Sequence, residues 1–161
     1  MTHSLDALRW QWLALREMRP VQVYSVLQLR ARVFVVEQNC PYLDADGKDL
    51  QPGVLQLLAW SGDDPVACLR LIPPGAAFAE RSLGRIVTAP EWRGSGLGHA
   101  LVQRGLAFCH TQWPDEPVRI GAQSHLQAFY ARHGFVVASD PYLEDDIPHV
   151  EMLCSAPKDR D

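Results

Sequence analysis

Residues 85–110 read RIVTAPEWRGSGLGHALVQRGLAFCH. A β-branched run closes at Ala89-Pro90. A basic, glycine-rich turn follows, Arg93-Gly94-Ser95-Gly96-Leu97-Gly98, and then an apolar pattern at helical spacing. A strand that delivers the chain into such a turn and then a helix N-terminus aims unpaired N–H groups and the positive end of the helix dipole at one point. That is a device for holding phosphate. Gly94, Gly96 and Gly98 let the backbone turn tightly and approach the anion with no Cβ between. The stretch predicts a phosphorylated ligand.

Two common phosphate loops do not fit. A P-loop needs GxxxxGK[ST], and no Lys followed by Ser or Thr stands in that register. A dinucleotide fingerprint needs GxGxxG. Counted from Gly94 its last glycine falls on His99, and counted from Gly96 it falls on Leu101. What stands here is RxxGxG, on Arg93, Gly96 and Gly98. This pattern resembles the pyrophosphate loop of the GNAT superfamily of N-acetyltransferases, which bind acetyl-coenzyme A. A glycine-rich turn selected for geometry alone would also account for these six residues.

A second stretch extends the resemblance. Residues 118–135 read VRIGAQSHLQAFYARHGF: a short β run, a polar junction at Gln123-Ser124-His125, a short helix, then Gly134-Phe135. It is similar to the second acetyl-CoA motif of the superfamily, in which a strand and helix splay from the neighbouring strand and the thioester slots between. That motif commonly carries a Tyr four residues before the Gly, where Tyr130 stands. It often has an Asn seven residues before the Tyr, where this chain has the longer amide Gln123. Arg32-Val33-Phe34-Val35-Val36-Glu37-Gln38 with Cys40-Pro41-Tyr42, and Glu144-Asp145-Asp146-Ile147-Pro148-His149-Val150, resemble the ElaA-like branch. The resemblance spans roughly residues 10–153. It implies an α/β (α+β) fold with a mixed, mostly antiparallel central sheet flanked by helices. It implies acetyl-CoA as acetyl donor and no settled acceptor.

Bulk properties agree with one enzyme domain over residues 1–156. A chain of 161 residues falls in the usual one-domain range of ~100–200 and can bury about 70% of its unfolded surface. A net charge of −4 argues against a nucleic-acid surface, which shows as a basic stripe. It leans toward cationic acceptors. The four cysteines, Cys40, Cys68, Cys109 and Cys154, are widely separated with no CxxC pair, and read as reduced small hydrophobes. No window approaches ~18 apolar residues, and MTHSLDALRW lacks a signal-peptide core. The expectation is a cytoplasmic protein with no membrane or nucleic-acid partner.

The element pattern alternates. Trp10–Leu15 reads as an opening strand, and Pro20 starts a helix whose apolar positions recur to Val33-Phe34. A polar loop covers 38–53. Strands follow at Val54–Ser61, Pro65–Ile72 and Leu83–Thr88, the first two joined by a turn at Gly62-Asp63-Asp64. A helix from Gly96 to about Gln112, a strand at Val118–Ala122, a helix at Ser124–His133 and two terminal strands complete the chain, with a frayed tail at 157–161.

Acetyl transfer to an amine asks for a polarised thioester carbonyl, a deprotonated amine and a protonated leaving thiolate. The resemblance implies that a bulge in Gly84–Thr88 leaves a backbone donor for the first task, with Ile86, Val87 and Thr88 along the pantetheine arm and Gln123 on its other side. It places the pyrophosphate on Arg93–His99, that is Arg93, Gly94, Ser95, Gly96, Leu97, Gly98 and His99. Charge on Arg93 and His99 would aid the pyrophosphate or the 3′-phosphate. Tyr130 is the candidate general acid, since a phenol can return a proton to a thiolate; the plainer reading is a packed helix tyrosine. The base is open. Glu37 follows the apolar run VFVV, where its pKa could be raised. Glu144, Asp145, Asp146 and His149 could take a proton directly or through water, bind a cationic amine, or form a solvated loop and a structural histidine.

Two motifs are rejected. Asp44-Ala45-Asp46-Gly47-Lys48-Asp49 resembles the start of an EF-hand, but one of its ligand positions falls on Tyr42 and its bidentate Glu position on Gly53. The six histidines include no HxxxH or HExxH, so no metal is expected. The chain reads as an acetyl-CoA-dependent N-acetyltransferase of a small-molecule or protein amine, with homodimerisation open. The alternative is a non-catalytic acyl-CoA sensor on the same loop.

Overall fold

Among the described residues every strand joins one sheet, in the order Arg9–Leu13, Leu55–Ser61, Asp64–Ile72, Arg81–Thr88, Val118–Gln123, Ile147–Cys154 and Val136–Val137 with Tyr142–Glu144 also against Ile147–Cys154, and its single parallel pair falls near the middle. The computed structural model describes residues 3–158. The strands are β1 (Arg9–Leu13), β2 (Leu55–Ser61), β3 (Asp64–Ile72), β4 (Arg81–Thr88), β5 (Val118–Gln123), β6 (Val136–Val137), β7 (Tyr142–Glu144) and β8 (Ile147–Cys154). The helices are α1 (Pro20–Ala31), α2 (Leu97–Gln112) and α3 (Gln127–Ala131). The mixed, mostly antiparallel sheet with flanking helices is the one the sequence implies. Of the expected frayed tail, residues 159–161 lie outside the described residues.

The sheet centre is apolar because β2 and β3 are covered on both faces. Leu57, Leu58, Ala59, Trp60, Ala67, Cys68, Leu69 and Leu71 are all buried. Residues alternate across a strand, so Leu69 and Arg70 point to opposite faces. α2 packs on the Leu69 face: a Cβ on Gly105 would lie 2.9 Å from Leu69 Cδ2 and 3.2 Å from Leu83 Cδ1. α1 covers the other face, where its Arg30 shares Asp49 with Arg70. The cysteines are buried and unpaired. Burial pushes the Cys68 thiol up to about 12 and the Cys109 thiol up to about 11.

Three local readings are corrected. The helix expected through Val33-Phe34 changes form after Ala31. Arg32–Glu37 is a π turn, with Gln38 N–H bonding Val33 O at 3.2 Å and Cys40 N–H bonding Val35 O at 3.0 Å. Such turns are rare and recur at functional sites. The helix expected over Ser124–His133 is a 3₁₀ turn at Ser124–Leu126 and then α3, closed by Gly134 at φ +92°. The terminal strands number three, because Asp145 and Asp146 reverse the chain with φ of 48° and 62°. Positive φ at both central residues is the two-residue hairpin geometry that fits sheet twist.

Gly105→Val should lower unfolding free energy by about 1–3 kcal/mol, because the added side chain forces the buried Leu69 and Leu83 to shift. Urea unfolding at a fixed wavelength would measure it. Wild-type stability in the variant would show that helix and sheet can separate at no cost.

Candidate active site

β4 and β5 pair over two positions only, Arg81 with Val118 and Ser82 with Arg119, and then part. The cause lies in β4. Between Cys68–Val87 and Arg70–Gly84, two steps on β3 face three on β4, so β4 carries one extra residue. This is a β-bulge, which bends its strand and leaves a residue out of the ladder. Arg85 sits there at φ 46°, a conformation costly for a residue with a Cβ. A cavity of about 920 Å³ lies at the opening; Ile86, Val87, Thr88, Arg93, Gly98, Gln123 and Tyr130 contribute to its lining.

The rejected EF-hand-like run has a different task. Asp44, Asp46 and Asp49 fold back onto three arginines from α1, β3 and β4. Arg30 pairs with Asp44 at 2.9 Å and Asp49 at 2.7 Å, and Arg70 with Asp46 at 2.8 Å and Asp49 at 3.3 Å. Arg85 pairs with Asp44 at 2.8 Å, and its guanidinium lies 5.2 Å from the Tyr42 ring. Gln56 donates to Asp49 at 2.8 Å. Burial alone would raise the Asp46 carboxyl, but hydrogen bonds from Arg70 and the Lys48 N–H, with the Arg70 and Arg85 charges, hold it at about 2. Asp49 is likewise held down: the Arg30 hydrogen bond and charge outweigh its burial. Burial pushes the Tyr42 phenol up to about 12. The cluster pins loop 38–53 to the bulge.

The glycine loop ends in the geometry a phosphate requires. Gly94 and Gly96 have φ of 79° and 86°, and a Cβ on either would meet nothing within 4 Å. Gly96 caps α2, whose first backbone bond from this end is Ala100 N–H to Gly96 O at 3.1 Å. The Gly98 and His99 amides thus have no backbone partner. Ser95 Oγ donates to Trp92 O at 2.5 Å and takes a long bond of 3.4 Å from Leu97 N–H. Its side chain braces the loop. Leu97 is buried, so only its backbone faces the anion. Free N–H groups, open space and the Arg93 charge fit a pyrophosphate.

Two loop expectations change. His99 turns from the phosphate side toward α3, where its Nδ1 lies 2.9 Å from His133 Nε2. Arg132 Nη1 sits 3.4 Å from His99 Nε2. Burial, and then the His99 and Arg132 charges, lower the His133 pKa. Glu37 is not the desolvated carboxylate expected: the π turn brings it to Arg93, 2.7 Å away, and both side chains stay over 40% exposed.

Tyr130 is 6% exposed, lines the cavity and makes no hydrogen bond through its hydroxyl to another described residue. Burial drives its pKa well above the phenol range, so it stays protonated. Gln123 donates to Gln38 at 3.2 Å, tying β5 to the π turn. His149, opposite Gln123 on β8, places Nδ1 2.7 Å from the Ile147 carbonyl. A carbonyl only accepts, so Nδ1 carries a proton, and Nε2 lies 3.5 Å from the Glu144 carboxylate. Glu144, Asp145 and His149 line the cavity, and Asp146 serves the turn. Sequence reasoning missed Gln38, Tyr42, Lys48, Arg70, Phe78, Arg85, Phe129 and Tyr142, which also line it.

A bulged strand, a parting parallel pair and a glycine-capped helix define an acyl-CoA-type N-acyltransferase fold. The chain matches the family described as an acetyltransferase (GNAT) domain over residues 31–156, and it belongs to that family. Within the family it is ElaA-like. Protein ElaA of Escherichia coli (strain K12) is 42% identical over 145 residues, covering 90% of this chain and 95% of that one. The crystal structure of that protein superposes with TM-score 0.86 at 40% identity, over 92% of this chain and 99% of the other. An acyl-CoA N-acyltransferase from Pseudomonas aeruginosa superposes with TM-score 0.87 at 43% identity and the same coverage. No helix among the described residues is long and apolar enough to cross a membrane.

The aspartate cluster makes stability depend on acid. Asp46 and Asp49 have folded pKa values below the ordinary ~3.9. The Asp46 contribution is therefore complete above the unfolded value of about 4 and is lost as pH falls toward about 2, and Asp49 adds a loss of the same sign. Chemical unfolding from pH 7 to pH 2 should show this loss, and Asp46→Asn should flatten it while lowering stability at pH 7. An equally steep acid limb in Asp46→Asn would contradict the assignment.

Proposed function

We propose that the protein is an N-acetyltransferase that moves an acetyl group from acetyl-CoA to a primary amine by direct attack. The observation that carries this reading is Tyr130, a buried, protonated phenol with no protein partner, in the cavity that opens at the β4 bulge. Acetyl-CoA would supply the activated carbonyl and the thiolate leaving group. Arg93 and the loop amides from Gly94 to His99 would hold its pyrophosphate, and Ile86, Val87, Thr88 and Gln123 its arm. A backbone N–H freed by the bulge would stabilise negative charge on the carbonyl oxygen.

His149 Nε2 is the base that the geometry favours among Glu37, Glu144, Asp145 and His149. With Nδ1 protonated, the neutral ring carries its lone pair on Nε2, and Glu144 stands at 3.5 Å to stabilise the imidazolium that forms. Glu37 is engaged by Arg93. In the reaction His149 takes the proton that the amine gives up, the carbon–nitrogen bond forms as the carbon–sulfur bond breaks, and Tyr130 gives its proton to sulfur.

Tyr130→Phe should lower kcat by about 10²–10⁴-fold, the usual range for a lost general acid, with CoA affinity nearly intact. Mass-spectrometric detection of acetylated product from a pooled amine library, with both proteins in parallel, tests this. Equal turnover would remove Tyr130 from the chemistry. In a second test, Gly96→Val should weaken CoA binding by about tenfold or more, a loss of about 1.4 kcal/mol. Calorimetry on a variant with wild-type circular dichroism measures it, and equal affinity would place the phosphates elsewhere.

A further inference from the structure

The cavity is charged oppositely at two walls, with a floor free of side chains between them. Arg70 on β3 stands opposite Gly84 on β4, and Gly121 on β5 opposite Glu151 on β8. The pairing of Ser82 with Arg119 puts Gly84 and Gly121 at equivalent steps along the parting strands. These four residues therefore share one face. A Cβ on Gly84 would meet nothing within 4 Å, so the space above it is open. One on Gly121 would lie 3.1 Å from the Tyr142 hydroxyl and 3.7 Å from Phe78, which roof that end.

On the β3 wall, the charges of Arg30, Arg70 and Arg85 are matched by Asp44, Asp46 and Asp49. Lys48 lines the cavity there and, among the described residues, pairs with no carboxylate within 4 Å. Arg70, 4% exposed, also lines it, and its Nε has no hydrogen-bond acceptor. Buried donors of that kind are normally satisfied. On the β8 wall, Glu144, Asp145 and Glu151 line the cavity. Glu144 faces His149 at 3.5 Å and Glu151 faces Arg119 at 3.6 Å, and Arg119 is shared with Glu80 at 2.6 Å.

We infer that the acceptor is an amino acid with an apolar or aromatic side chain. Its carboxylate lies toward Lys48 and Arg70, its amine toward His149 and Glu144, and its side chain against Phe78, Tyr142 and Ile72. The inference rests on the reading that an amine is acylated in this cavity. A simple amine leaves the cationic wall without a partner, and a diamine places its second charge against that wall.

The experiment uses the full chain with acetyl-CoA and two matched pairs: phenylalanine with phenethylamine, and leucine with 3-methylbutylamine. Each amino acid should exceed its decarboxylated partner in kcat/KM by about tenfold, the scale of one charge-assisted contact. In Lys48→Gln that ratio should fall about tenfold, chiefly through KM. Amines accepted as well as or better than the amino acids, or an unchanged ratio in the variant, would overturn the inference. Acylation of neither pair by wild-type protein that still binds CoA in calorimetry would also overturn it and leave the cofactor reading standing. Absence of CoA binding would overturn both.

Discussion

The ion pair between Arg85 and Asp44 holds a strained residue where β4 departs from its neighbour. Arg85 would not keep a positive φ without compensation, and Asp44, Asp46 and the Tyr42 ring supply it. The bulge is thereby fixed, β4 swings from β5 after two paired positions, and the cleft exists. Removing one partner of a buried network leaves its counter-charge unpaired, which costs more than the pair contributes. The loop that carries the aspartates is thus structurally tied to the strand that lines the site.

On this frame the two ends of the cleft use different physics. The α2 end offers main-chain N–H groups, a helix dipole and one exposed guanidinium. Phe129 closes over Gly98, since a Cβ there would be 3.5 Å from its ring. The β8 end is built by side chains from distant segments: Gln38 with Gln123, Glu144 with His149, Glu80 with Arg119. Tyr130 stands between, buried enough to stay protonated, its hydroxyl without a hydrogen-bond partner among the described residues.

This division explains what could be read from the chain alone. The glycine turn was legible because its geometry is local: three glycines and an arginine in six residues dictate the main-chain course whatever surrounds them. Tyr130 and Gln123 were legible by spacing within one short strand–helix unit. The aspartates at 44, 46 and 49 were not, because their partners lie on three other elements. Glu37 was misjudged because a π turn, which no hydrophobic period reveals, rotates it to Arg93. The Glu144-Asp145-Asp146 run looked like a solvated loop, and two of its residues are a hairpin turn that delivers Glu144 to His149. His99 was read as a neighbour of phosphate, and its ring instead lies against His133 and Arg132, partners that sequence spacing does not reveal.

The most direct test of the central claim, that the parting of β4 from β5 is the acyl-CoA site, is a backbone amide NMR titration of the labelled protein with CoA. The account predicts the largest shift changes at Ile86, Val87 and Thr88 on β4, at Gln123 on β5, and at Gly94, Gly96 and Gly98 in the loop. The paired strands β1 and β2 should stay still. Changes concentrated on β1 and β2, with those seven amides unmoved, would contradict it.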